Sequence, residues 1–276
     1  MKIEIKKVDE DRGIVQITCP DERWYSVRPL LGDDVKSISQ EDFYPSSSWI
    51  ARYYPKGVEY IRWVANKGWD IAEEVKQEAA EKGTRIHRAC EFLLLGGDIT
   101  HDMEFNDSEG NSDQLNAEEY YAVMTFKRFL DEQKPFVLAQ GNGNPAIEYT
   151  ILNHEHKFAG TVDFKCRIAQ DNYENVWIID IKTSKEIYPS HEIQLSSYLE
   201  TDKEAIKQAI LQVGYKKNKA GYKLTEIEPQ FDVFLAAKRI WQKEQGKILV
   251  PQREYPLKIT WEPLKEVPKA ETKTKK

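Results

Sequence analysis

Three successive runs in the middle of the chain, AIEYTILN, FAGTVDFKCRI and NVWIIDIKT, constrain the fold more than any other feature. Each is rich in apolar and β-branched residues, and the turn-like stretches HEHK and AQDNYE separate them. The pattern reads as a strand meander. Strands have a period of two, so Trp177, Ile179 and Ile181 share one face of the third run and require helices packed against them.

Helical patterns lie on both sides of the meander. WIARYYPKGVEYIRWVANKG reads as short helices interrupted at Pro55-Lys56-Gly57. WDIAEEVKQEAAEK reads as a helix stopped by Gly83, with Thr84 the N-cap of a second helix, RIHRACEFLLL, closed by Gly96 and Gly97. Residues 98–113 read as a polar loop, and LNAEEYYAVMTFKRFLDEQ as one long amphipathic helix. After the meander, HEIQLSSYLETD is helical with Ser190 as its N-cap. KEAIKQAILQVGYKKNKAGYKLTEI is a helical or mixed segment leading into a strand pair about Lys219-Ala220-Gly221. QFDVFLAAKRIWQKEQG is a further helix. Residues 1–30 alternate as two or three short antiparallel strands. The expected fold is therefore α/β or α+β, a central sheet flanked by helices, preceded by a small N-terminal β element at 1–45. From about Pro251 the pattern is lost, and 251–276 reads as a C-terminal extension with a disordered end.

Charge and cysteine content narrow the function classes. The chain has 40 basic and 46 acidic residues, a net charge of −6. That argues against a protein that coats nucleic acid non-specifically, but a nucleic-acid enzyme needs only a local basic channel. No apolar run reaches the roughly 18 residues of a membrane helix. The charged start, MKIEIKKVDEDRG, lacks the pattern of a signal or transit peptide, so a cytoplasmic location is expected. Cys19, Cys90 and Cys166 are scattered. They point to reduced thiols and cannot supply the four thiolates of an iron–sulfur cluster.

The chemistry-bearing residues fall on this scaffold at four places. In the third run Asp180 and Lys182 share a face, which by itself reads as a strand-end salt bridge worth about 0–1 kcal/mol. The preceding run places Asp163 where strand pairing brings it beside Asp180. Two close carboxylates repel unless a cation lies between them, and Mg²⁺ suits one or two carboxylates with water and phosphate. His87 and Glu91 are i and i+4 on one helical face. Gln194 and Tyr198 are i and i+4 on the helix after the third run.

Together these residues carry a resemblance. Gly83-Thr84-x-x-His87-x-x-x-Glu91, Gly160-Thr161-Val162-Asp163, Asp180-Ile181-Lys182-Thr183-Ser184 and Gln194-x-x-x-Tyr198 look like the ordered motifs of RecB-type PD-(D/E)XK nucleases. The likeness spans roughly residues 45 to 245 and is similar in arrangement to stand-alone phage and mitochondrial genome-maintenance exonucleases. It also resembles CRISPR-associated exonucleases, but those commonly carry a four-cysteine iron–sulfur cluster that three scattered cysteines cannot build. It implies a restriction-endonuclease-like core in a nuclease domain at 46–250. It also implies a metal-dependent DNA exonuclease of recombination, repair or replication, using one or two Mg²⁺ or Mn²⁺ ions on DNA with a free end. His87, Asp163, Asp180 and the backbone carbonyl of Ile181 would be the metal ligands. Lys182 would position or activate the attacking water, and Glu91 would stand behind the ligands. Gln194 and Tyr198 would contact the DNA backbone or orient Lys182. Thr183, Ser184, Lys185, Arg85 and Arg88 are further candidates for DNA contact, and Glu148 is a supporting acid. A structure-specific endonuclease of the same fold and a non-catalytic DNA-binding subunit are the alternatives. Protein partners are left open.

Overall fold

The computed structural model of the chain describes residues 4–19, 22–27, 43–107 and 110–245. Four short strands come first: β1 (Glu4–Asp9), β2 (Ile14–Cys19), β3 (Glu22–Ser26) and β4 (Phe43–Pro45). They form an antiparallel sheet in sequence order. Along β2 the alternation is plain. Val15, Ile17 and Cys19 are buried, whereas Gln16 and Thr18 are only half-buried. The buried set joins Trp24, Trp49, Ile193, Phe234 and Trp241 in one core. The N-terminal element is thus packed into the body of the protein through its apolar face.

Helices α1 (Ser47–Ala51) and α2 (Val58–Lys67) are separated at Pro55-Lys56-Gly57, as their sequence predicts. The next helix differs from expectation. Gly83 and Thr84 do not divide it, and α3 runs unbroken over Trp69–Leu94. A glycine inside a helix costs only about 1 kcal/mol relative to alanine, and the Ala-, Glu-, Lys- and Arg-rich flanks outweigh that. Thr84 does not cap; its Oγ1 donates to the Ala80 carbonyl within the helix. Gly96, with φ of 84°, ends the helix where the sequence placed the stop. The polar segment after it holds a two-stranded ribbon, β5 (Glu104–Asn106) with β6 (Ser112–Gln114). Helix α4 (Ala117–Gln133) starts from a capping box of Asn116 and Glu119.

The meander forms as read: β8 (Ile147–Asn153), β9 (Phe158–Arg167) and β10 (Trp177–Lys182), preceded by the short β7 (Phe136–Val137). Helix α5 (Pro189–Thr201) follows, with Tyr188 at the cap and Pro189, not Ser190, as the point of entry. The segment read as helical or mixed is a strand, β11 (Lys207–Val213), paired parallel to β10. All but its first residue are buried, so its apolar run carries no alternation to distinguish it from a buried helix. It turns back into β12 (Tyr222–Glu226), and α6 (Phe231–Gln245) closes the described chain. The extension at 251–276 lies outside the described residues.

The larger sheet is mixed, in the order β12-β11-β10-β9-β7, with β8 also paired to β9. Trp177, Ile179 and Ile181 pack with Ile86, Cys90, Phe126 and Phe129 of α3 and α4. Ile178 and Ile210 face Leu195 and Tyr198 of α5. The fold is thus α+β, helices on both faces of a mixed sheet. Among the described residues no helix is long and apolar enough to cross a membrane.

An unbroken α3 has a testable consequence. A Cβ at Gly83 would meet only Thr183 Oγ1, at 3.6 Å, an ordinary contact. Gly83→Ala is therefore expected to stabilise the fold by about 1 kcal/mol. Thermal unfolding checks this; a lower Tm would mean that the chain needs the break at Gly83.

Candidate active site in a carboxylate cleft

Pairing of β9 with β10 runs from Cys166–Trp177 to Phe164–Ile179 and stops. The next positions on the two strands are Asp163 and Asp180. There the Asp163 side chain replaces a ladder acceptor: its Oδ2 takes the Ile181 N–H at 2.6 Å. On the other edge of β9, the pairs Ile147–Phe164 and Tyr149–Val162 leave Glu148 opposite Asp163. Glu148 has φ of 46°, the left-handed region that non-glycine residues rarely occupy. Three adjacent strands thus bring Glu148, Asp163 and Asp180 onto one rung of the sheet.

Helix α3 crosses this rung. His87 Nδ1 lies 3.6 Å from Asp163 Oδ2. Ligand atoms of His87, Glu148 and Asp163 all lie within 4.8 Å of one another. Around a small divalent ion at ~2.1 Å from each ligand, neighbouring ligand atoms stand roughly 3–4 Å apart, so this group could hold such an ion after a modest contraction. The set differs from the one expected from sequence. Glu148, given a supporting role there, joins His87 and Asp163, while Asp180 is turned toward Lys182. Ile181 is held at the same spot through its amide.

Asp180 is 2% exposed. Lys182 Nζ lies 2.6 Å from its Oδ2, a close ion pair inside the cleft. Burial raises the Asp180 pKa; Lys182 opposes this and Asp163 adds to it. Burial raises Glu148 well above the usual carboxylate range, and the charges of Asp163 and Glu91 push it further. Burial disfavours charge on Lys182, yet Asp180 and Asp163 outweigh it and hold the ammonium above its ordinary pKa. These shifts describe a buried cluster with an excess of acid, the environment a cation relieves.

The cleft over the rung has a volume of about 1150 Å³. Gln194 and Tyr198 form part of its wall, and Gln194 Nε2 donates to the Tyr198 hydroxyl at 2.7 Å. Gly160 is required beneath them, because a Cβ there would come to 2.5 Å from Tyr198 Cε1. Glu91 and Arg88 line the cleft from α3, and Arg88 is exposed. Arg85 is placed otherwise. Its guanidinium is 2.6 Å from Glu119, which is fully buried, and so ties α3 to the first turn of α4. Thr183 abuts Gly83. Ser184 donates to the Glu186 carbonyl and its own carbonyl accepts from Gln212. Lys185 is exposed beyond the strand. Of the residues expected to touch DNA, then, Arg88, Gln194 and Tyr198 face the cleft, and Arg85 is committed elsewhere.

Sequence reading missed His191. Burial, and then Lys182, lower its pKa to about 4, so it is neutral at physiological pH beside the Asp180–Lys182 pair. It lies one helical turn before Gln194, and extending the Gln194–Tyr198 stripe backwards would have found it. Comparison with protein-family models and with curated proteins found no match.

The acid excess predicts a stability effect. Glu148 has a folded pKa above its unfolded one, so the metal-free fold loses stability as pH rises between the two values. Glu148→Gln removes the charge and is expected to stabilise the metal-free protein at neutral pH by on the order of 1 kcal/mol, about 2–4 °C in Tm. The same variant should lose most of the Tm increase that Mn²⁺ gives the parent. Thermal melts in chelator and in Mn²⁺ read both effects, and a parent insensitive to metal would contradict the site.

Proposed function

We propose that this chain is a metal-dependent deoxyribonuclease with a restriction-endonuclease-like core, degrading DNA from a free end. The observation that carries the reading is the rung itself: Glu148, Asp163 and Asp180 on adjacent strands at the point where β9–β10 pairing ends, with His87 and Lys182 beside them. A salt bridge at a strand end needs one acid; this arrangement gathers three in a cleft. His87, Glu148 and Asp163 are the residues that would hold Mg²⁺ or Mn²⁺. When bound, such an ion supplies Lewis-acid stabilisation of charge developing on a phosphodiester and lowers the pKa of water.

The chain's own groups divide the remaining work. Lys182, cationic at neutral pH because of its acidic neighbours, donates to a phosphate oxygen or to the attacking water and offsets developing negative charge. Asp180 fixes the Lys182 ammonium at the rung. Ile181 and Asp163 hold each other through the 2.6 Å amide contact, which sets the carboxylate's orientation. Neutral His191 packs near Lys182 without competing for a proton. Gln194 and Tyr198 present a polar wall to the DNA backbone, and Arg88 offers a phosphate contact from α3.

The assay is direct: purified protein with Mg²⁺ or Mn²⁺ on end-labelled single-stranded, linear duplex and closed circular DNA. Linear DNA should be degraded and circular DNA left intact. Asp180→Ala and Lys182→Ala should each lower the rate by at least about 100-fold, with Tm confirming a retained fold. Variants that cut as well as the parent would sink the assignment. Cutting of closed circles would replace exonuclease by endonuclease, and DNA binding without turnover on any substrate would leave a docking subunit.

A further inference from the structure

The N-terminal sheet has a second face. Its first face is the apolar one, with Val15, Ile17, Cys19 and Trp24 in the core. The register places Lys6 beside Gln16 and Gln16 beside Tyr25, with Thr18 beside Arg23 on the next rung. Because strands alternate, these five residues share the opposite face. All five line the same cleft as Asp163 and Asp180. The face is anchored there rather than merely close by. Gln16 Nε2 donates to the Tyr25 hydroxyl at 2.7 Å, and that hydroxyl lies 3.0 Å from Thr161 Oγ1, two residues before Asp163. Lys6 is near enough to Glu148 for its charge to act on that carboxylate.

Lys6 and Arg23 differ from Arg85 in what they are free to do. Arg85 is held by a buried glutamate, whereas Lys6 and Arg23 are exposed and form no ion pair among the described residues. On the same face stand the uncharged hydrogen-bonding groups of Gln16, Thr18 and Tyr25, and Lys7, which pairs with Glu10, also reaches the cleft. Arg88 lines the same cleft from α3, a separate element. A floor of carboxylates with guanidinium and ammonium groups on two separate elements suits a chain of phosphates spaced along a strand: one phosphate over the floor, its neighbours on those elements. A single small anion would not use cations on both elements.

We infer that the polar face of the N-terminal sheet is the second jaw of the cleft, with Lys6 and Arg23 binding phosphates that flank the one over the carboxylate floor. This rests on the nuclease reading and extends it, making the β1–β4 sheet part of the substrate site. Each such contact contributes affinity through counterion release and so appears in the salt dependence of binding.

The test uses the full chain carrying Asp180→Asn, which permits binding to be measured without turnover. The probe is a labelled oligonucleotide, single-stranded or duplex, titrated over a range of salt concentrations. Adding Lys6→Gln and Arg23→Gln together should weaken binding at low salt by tenfold or more. It should also reduce the slope of log K against log salt by roughly 1.4–1.8, about 0.7–0.9 per lost contact. Lys6→Arg with Arg23→Lys, which keeps both charges, should restore most of the slope. Lys127→Ala, on the outer surface of α4, is the control for bulk charge and should leave the slope near that of the parent. Unchanged affinity and slope in the double Gln variant, or a loss no greater than that of Lys127→Ala, overturns the inference and leaves the nuclease reading standing. A parent that neither cuts nor binds any DNA overturns the nuclease reading, and this inference with it.

Discussion

The structure is organised around one electrostatic problem: three carboxylates on a single rung of a sheet, in a place where water cannot fully solvate them. Two close acids with no cation between them raise each other's pKa, and burial raises both. Glu148 and Asp180 show that strain in their raised pKa values. Glu148 adds backbone strain, with its φ of 46°. Such features persist only where the surrounding structure over-determines them. Here the determinants are the registers of β8 and β10 on β9, and the Asp163–Ile181 contact where the ladder ends.

The rest of the fold can be understood as what holds that rung in place. Trp177, Ile179 and Ile181 lock one face of β10 onto α3 and α4, which turns Asp180 and Lys182 to the other face. The buried Arg85–Glu119 pair joins α3 to α4 near the turn that carries His87. Removing one partner of such a pair strands a buried charge, so its role is positional, whatever its net contribution to stability. Gly160 lets the Tyr198 ring lie against β9, and that contact brings the Gln194–Tyr198 pair to the cleft. In the proposed reaction, the same burial that strains the acids also strengthens their interaction with any cation or phosphate that enters.

Much of this was legible residue by residue. The β10 alternation assigned Ile178, Asp180 and Lys182 to one face, and the turn after β9 brought Asp163 beside Asp180. Helical spacing joined His87 to Glu91 and Gln194 to Tyr198. The misses have physical causes. The β11 segment reads as helical or mixed because a strand buried on both faces shows no alternation, although the strand pair it leads into is legible. Helix α3 was divided at Gly83 because a stop signal was weighed without the strong helix formers on either side. The tie of Arg85 to Glu119 was not legible because the two are 34 residues apart in sequence. The grouping of Glu148 with His87 and Asp163 was not legible because a left-handed residue in a strand leaves no mark in a one-dimensional pattern.

By itself the sequence determined the elements and the chemistry each one carries, because strand and helix periods are local properties that put particular side chains on particular faces. It could not decide which of those faces meet. The grouping of His87 with Glu148 and Asp163, the turn of Asp180 toward Lys182, and the placing of the N-terminal sheet's polar face in the same cleft as α3 all depend on strand register and on layers packed across long sequence separations. These are settled only when the whole apolar core closes, since no local preference distinguishes one partner from another.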